Sequence, residues 1–231
     1  MKAHLCFCPH SRQVAVETTS VYAGGFETRL LPIFDHIEEE ATAETEKAWQ
    51  AAGSGPACNE NIDPSVYGEA AQEYGLEVYE NLQFTRQQLL GLAAAGLYHL
   101  WERLLKEFLC KELHGWTFDG RDSRKMIVDA DFPGLESFLL QFGFELKKQR
   151  CYADLCELRL VANVYKHGDG RSCEELHALA PRLFEGLSYH FDIFSKADGL
   201  ELARADFTRY TEAVRDFWDT FPENLTLADA A

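Results

Sequence analysis

The run Leu89-Leu90-Gly91-Leu92-Ala93-Ala94-Ala95-Gly96-Leu97-Tyr98-His99-Leu100-Trp101-Glu102-Arg103-Leu104-Leu105-Lys106-Glu107-Phe108-Leu109 decides the fold class. Leu89, Leu90, Ala93, Leu97, Leu100, Trp101, Leu104, Leu105, Phe108 and Leu109 recur at steps of three and four. Gln87, Gln88, Tyr98, Glu102, Arg103, Lys106 and Glu107 fall largely on the other side. A wide apolar stripe with a period near 3.6 is that of a helix packed into a core. Within it, Ala93-Ala94-Ala95-Gly96 carries so little side-chain bulk that a second helix can approach closely.

Upstream, Asp63-Pro64 supplies an N-cap and a proline at the first helical position, and helical spacing continues through Tyr67, Ala70, Ala71, Tyr74 and Val78. Phe26, Leu30, Ile33, Phe34, Ile37, Ala41 and Trp49 give a looser helical period, with a kink expected at Pro32. Between the two, Ala52-Gly53-Ser54-Gly55-Pro56 breaks the chain and opens a linker of about ten residues. His4, Cys6, Cys8 and His10 alternate, which predicts a short edge strand. Zinc sites prefer wider loop spacings, so no metal centre is expected there.

Downstream, Gly115 through Asp131 is polar and contains the clearest basic patch, Arg121-Asp122-Ser123-Arg124-Lys125. It reads as a long surface loop that can guide an anionic ligand toward the helix ends. Pro133 opens a short apolar helix through Leu135, Phe138, Leu139, Phe142, Phe144 and Leu146. Leu155, Leu158, Val161, Ala162 and Tyr165 form the next, ending at His167-Gly168. Ser172 and Glu175 resemble a capping box before a short helix, Glu174 to Leu179, and Pro181 to Phe184 is expected as loop. Phe207, Tyr210, Ala213, Val214, Phe217 and Trp218 carry a last helix that stops near Pro222. Strand-like alternation is confined to Val14–Val16 and Tyr189–Phe194. The expectation is therefore an all-α protein: an acidic, mainly helical extension over 1–62, a helical bundle over 63–222 and a tail over 223–231.

With 46% hydrophobic and 13% aromatic residues the chain can bury a real core, which excludes global disorder. The 22 Lys plus Arg against 38 Asp plus Glu give a net charge of −16, which opposes nonspecific binding to duplex DNA. Residues 1–80 hold 14 acidic and 4 basic residues, densest at Glu38-Glu39-Glu40, Glu44 and Glu46. That run is a solvated helix face or a surface for a basic protein partner. Seven cysteines form an odd set suited to a reducing cytoplasm, with Cys151 and Cys156 as core filler. The N-terminal apolar run breaks at Pro9, so no signal sequence is expected, and no stretch of about 18 apolar residues predicts a membrane span. Neither a phosphate loop, nor Gly-x-Ser-x-Gly, nor His-Glu-x-x-His occurs, so triphosphate hydrolysis and zinc hydrolysis lack support and no cofactor is expected.

The chemistry-bearing candidates lie before Gly168. Arg159, Asn163, Lys166 and His167 stand at i, i+4, i+7 and i+8, on one helical stripe. A guanidinium, an amide, an ammonium and an imidazole so placed can bind an anion or phosphate, and the imidazole can also move a proton. His99 and Glu102, at i and i+3 on the polar side of the long helix, are second-tier binding candidates that can face this turn.

A long helix, a loop, a helix ending in Asn163-Val164-Tyr165-Lys166-His167-Gly168 and a further helix together resemble the HEPN superfamily, over roughly residues 74 to 222. The resemblance implies a dimerising helical bundle, a homodimer here. It also implies the centre of a metal-independent endoribonuclease of toxin-antitoxin or phage-defence systems, with RNA or a nucleotide as ligand. Asn163 and His167 match the family's Asn and His. Where the family places Arg, this chain has Ala162, and Arg159 and Lys166 are the nearest cations that can substitute. The expectation is accordingly a HEPN-like intracellular bacterial protein with weak or no catalysis. Its alternatives are an active endoribonuclease, or an acidic antitoxin or immunity protein.

Overall fold

The computed structural model describes residues 3–54, 63–118, 120–188 and 195–227, and these are predominantly helical. Among the described residues no helix is long and apolar enough to cross a membrane.

The decisive run lies within one continuous helix, α3 (Pro64–Glu112), of 49 residues. The two helical stretches read from the sequence are thus one, because nothing between Val78 and Leu89 breaks helical hydrogen bonding: neither proline nor a glycine pair occurs there. Asp63 precedes α3 as expected, its carboxylate accepting from the Ser65 amide at 2.9 Å. Ahead of it come β1 (His4–Cys6), α1 (Pro9–Gly25), a π-helical turn (Phe26–Leu30), a 3-10 turn (Leu31–Phe34) and α2 (Ile37–Ser54). After it follow β2 (Thr117–Phe118), β3 (Arg121–Asp122), α4 (Ser123–Asp129), α5 (Phe132–Gln141), α6 (Tyr152–His167), α7 (Arg171–Leu179), α8 (Arg204–Thr220) and β4 (Asn224–Thr226).

The chain divides into two compact units, one of residues 1–25 with 91–231 and one of residues 26–90. In the smaller unit, Gly75 of α3 leaves room for Thr45 of α2, where a Cβ would collide with the threonine hydroxyl, and Gly68 accepts the Trp49 ring. In the larger unit α1 packs on α8, and α6 on α7 and α8. Trp101 of α3 meets Phe132 of α5 and Phe217 of α8 at centroid distances of 5.7 and 5.3 Å, and Phe108 meets Phe7 and Phe221 at 5.0 and 5.8 Å. These rings, with Phe144 and Trp218, are all buried except the partly exposed Phe108, and they form the centre of the core. The small patch performs as its composition implies: Gly96 admits Tyr22 of α1, whose hydroxyl donates to the Ala93 carbonyl at 2.9 Å.

Several local expectations are corrected. Val14–Val16 is helical, inside α1, because Thr18, Thr19 and Ser20 return hydroxyl bonds to Val14, Ala15 and Val16 carbonyls within one continuous helix. The edge strand at the N-terminus exists but ends at Cys6, since Pro9 starts α1. Its partner is β4, in antiparallel register with Leu5 opposite Leu225, so residues 224–226 are no loose tail. Ala52, Gly53 and Ser54 continue α2 instead of ending it; the remainder of the expected linker and Tyr189–Phe194 lie outside the described residues. The 115–131 segment holds the short antiparallel pair β2–β3 and then α4, not a long loop. Asp122 caps α4 by accepting from the Arg124 amide, and buried Ser123 donates to the Leu113 carbonyl at 2.8 Å. Helix α7 starts at Arg171 after Gly170, so Ser172 is not its cap. Pro181–Ser188 is a 3-10 segment where a loop was expected.

Candidate functional site

Helix α6 places the expected residues. Leu155, Leu158, Leu160, Val161, Ala162 and Val164 are buried, so the middle of α6 is enclosed on most sides and its last turn emerges. His167 is the final helical residue. Gly168 closes the helix with φ +69° and ψ −142°, its amide donating to the Val164 carbonyl at 2.8 Å. A backbone conformation of that kind is open to glycine and strained for other residues. Lys166 and His167 are exposed in the last turn, where a cation complements the helix dipole. Asp169 anchors the following turn by accepting from the Ala197 amide at 2.8 Å.

The stripe does not converge as a whole. Lys166 and His167 reach solvent and Asn163 is half-buried, and none of these three side chains has a hydrogen bond or ion pair to another described residue. Arg159, two turns earlier, is directed elsewhere: its guanidinium lies over the Phe132 ring at 5.6 Å, and Nη2 is 3.8 Å from the Glu175 carboxylate. Its Nε is buried without a hydrogen-bond partner. Ala162, at the position where the resembled family carries Arg, is 1% exposed and belongs to the core.

Tyr165, between Asn163 and His167, packs against α3 at Gly91, where a Cβ would fall inside the tyrosine ring. Burial pushes its phenol up to about 12. This contact fixes the level of the α6 end along α3. His99 is eight residues on, about 12 Å by helical rise. His99 and Glu102 therefore do not meet the His167 turn. His99 Nδ1 is 3.7 Å from Glu102 Oε2, and both line a groove of about 480 Å3 between α3 and α4 whose lining includes none of Arg159, Asn163, Lys166 and His167. Among the described residues no group of three His, Cys, Asp or Glu is placed to hold a metal ion, and the six described cysteines are free thiols.

Sequence reasoning missed an ionic network at the other end of α6. Glu157 is buried, and its Oε1 accepts from Arg182, from Arg209 Nη2 at 2.5 Å and from the Tyr210 hydroxyl at 2.6 Å. Asp206 takes Arg182 Nη1 at 2.6 Å and the Ala203 amide at 2.9 Å, and Asp154 pairs with Arg209. Burial, reinforced by the Glu157 carboxylate, pushes the Tyr210 phenol well above its ordinary range. Each of the two guanidinium groups pairs with carboxylates of α6 and α8, so the cluster joins α6, the 3-10 segment and α8. Its one signal in the sequence was a carboxylate at Glu157 among Leu155, Leu158 and Val161, on a helix otherwise apolar at that level.

Comparison of the chain with protein-family models, curated proteins and solved structures returns no match.

Proposed function

We propose that the chain is a HEPN-like helical protein, of a phage-defence or toxin-antitoxin kind, which binds RNA or a nucleotide at the Lys166–His167 turn with weak or no cleavage. The observation that carries this reading is the pairing of an exposed imidazole at His167 with a core alanine at 162. A metal-independent ribonuclease needs an imidazole at a hydroxyl or leaving oxygen and a cation at the developing phosphorane charge, each worth about 10²- to 10⁴-fold. Here Arg159 is occupied by Phe132 and Glu175, which leaves exposed Lys166 as the cation beside His167. An ammonium and an imidazole exposed on one helix end, with no side-chain partner among the described residues to hold them, suit phosphate binding better than stabilisation of a transition state, which requires donors fixed in advance. Asn163, half-buried one turn below, adds an amide for a sugar or base edge.

Titration of a labelled single-stranded RNA oligonucleotide or of a nucleotide monophosphate tests the reading. The wild-type chain binds, Lys166→Glu and His167→Ala each weaken binding by about tenfold, and Arg159→Gln has little effect. Equal affinity in wild type, Lys166→Glu and His167→Ala would overturn it. The same resemblance carries a homodimer, for which light scattering should return twice the chain mass.

A further inference from the structure

The solvent side of α3 beyond the small patch carries His99, Glu102, Arg103, Lys106, Glu107, Cys110 and Lys111, spaced by three and four and therefore on one side of the helix, and His114 follows just past its end. The β2–β3 hairpin turns the chain back so that α4 runs against this side. Ser123 is tied to the Leu113 and Trp116 carbonyls, and Lys106 Nζ reaches the Val128 carbonyl at 3.1 Å. Arg124 and Val128 of α4 complete the lining of the groove described above. Four Lys or Arg side chains thus face two carboxylates, the reverse of the balance of the chain as a whole.

Those charges are not distributed evenly. Glu102 lies 3.1 Å from Lys106, and Glu107 lies 3.9 Å from Arg103. Toward the far end, Lys111, His114 and Arg124 are exposed, and among the described residues none of their side chains has a carboxylate within ion-pair distance. Burial pushes the Cys110 thiol up, and of its charged neighbours Arg124 and Lys106 pull it down while Asp122 pushes it up. Lys111 and Arg124, two cations without a carboxylate partner among the described residues, line one groove, and an anion from outside the chain can neutralise them.

We propose that the groove between α3 and α4 is a binding track for a chain of phosphates, with Lys111, His114 and Arg124 as its principal anchor and Arg103 and Lys106 along its length. The lining favours phosphate over an acidic peptide or a stacked base. Only Val128 and Cys110 among the lining residues are apolar, and no Phe, Tyr or Trp is present to seat a peptide side chain or a base. What remains is recognition of repeated negative charge along about 18 Å of α3 from His99 to Lys111, and just past its end at His114. Lys111 stands twenty residues, about 30 Å along α3, from the level at which Tyr165 fixes the His167 turn. This track is thus separate from the turn and does not depend on the family reading.

The test uses the full chain with three probes: inorganic polyphosphate, a mixed-sequence single-stranded RNA, and poly-glutamate as a carboxylate control. Variants are Lys111→Glu with Arg124→Glu, the milder Lys111→Gln with Arg124→Gln, and Lys166→Glu for the other site, each checked for its helical signal and melting. Polyphosphate should bind the wild type, fall by about tenfold or more in the reversed pair and less in the neutral pair, and lose about two units of its logarithmic salt slope. Lys166→Glu, at the separate turn, should reduce polyphosphate binding by less than the reversed pair does. RNA binding that shares the loss identifies a phosphodiester backbone as the source, and polyphosphate binding alone identifies a free phosphate chain; both support the track. Absence of polyphosphate binding at low salt, binding within twofold of wild type in the reversed pair, or equally tight poly-glutamate binding would each overturn it. Loss confined to Lys166→Glu would overturn the track and leave the reading of the His167 turn standing.

Discussion

Gly91 and Gly168 show how single residues hold the candidate site in place. Alanine raises intrinsic helix stability over glycine by about 1 kcal/mol, yet at Gly91 its methyl would occupy the Tyr165 ring. Overpacking of that kind costs about 1–3 kcal/mol. Gly91→Ala should therefore lower stability in urea denaturation, whereas in a Tyr165→Ala background the same substitution should raise it. At Gly168, alanine has space but not the conformation, and a loss of about 1–3 kcal/mol is expected. Titration offers a second check at this scale. The Cys151 thiol is pushed up from its ordinary 9.0 to about 12, chiefly by burial and then by Asp216. Below pH 9 it is neutral whether the chain is folded or not. Between about 9 and about 12 only the unfolded chain releases the proton, so stability must fall as pH rises through that window. Tyr165 adds to the fall from about 10 upward, and Cys151→Ala should flatten the slope measured by denaturation at successive pH values.

Elements were legible to unequal degrees. The long helix was visible because its apolar stripe recurs without interruption, and α6 was visible with its end because His167-Gly168 pairs a helix-closing cation with the residue that can leave the helix. Helix α4 was not visible. Its seven residues bury only Ser123 and Ile127, too few to show a period, and what fixes it is a cap from Asp122 and two hydrogen bonds from Ser123 to the preceding turn. Asp122→Ala should cost about 1 kcal/mol through that cap and loosen α4 selectively in hydrogen exchange. The α6–α8 network was hidden because its partners are 25 and 52 residues apart in sequence. Truncating Glu157 to alanine leaves two guanidinium groups and a buried tyrosine hydroxyl short of an acceptor, for an expected loss of about 3–5 kcal/mol in chemical denaturation. Glu157→Gln, which keeps an acceptor oxygen, should lose less.

Over the whole molecule, apolar periodicity was right about the helical class, and the exposed Glu38, Glu39 and Glu40 of the acidic run occupy the first turn of α2 where the helix dipole favours them. Composition could not show that chain reversal at β2–β3 gathers cations from α3 and α4 into one groove, since it averages them with a net charge of −16. Nor could the helical stripe before Gly168 tell which of its members look outward, for that depends on Phe132 and Glu175, which are distant in sequence and capture Arg159. A field of that overall sign repels nucleic acid, and the proposed sites at the Lys166–His167 turn and in the α3–α4 groove rest on locally exposed cations. Duplex DNA of random sequence should consequently show no retardation at physiological salt. The central claim is that the turn binds RNA with weak or no cutting. It is tested most directly by a cleavage time course on end-labelled single-stranded RNA, with chelator present, for wild type and His167→Ala. The account predicts RNA that stays intact or nearly so with both, beside a complex about tenfold weaker with His167→Ala; rapid and complete cleavage with wild type that is lost with His167→Ala would contradict it.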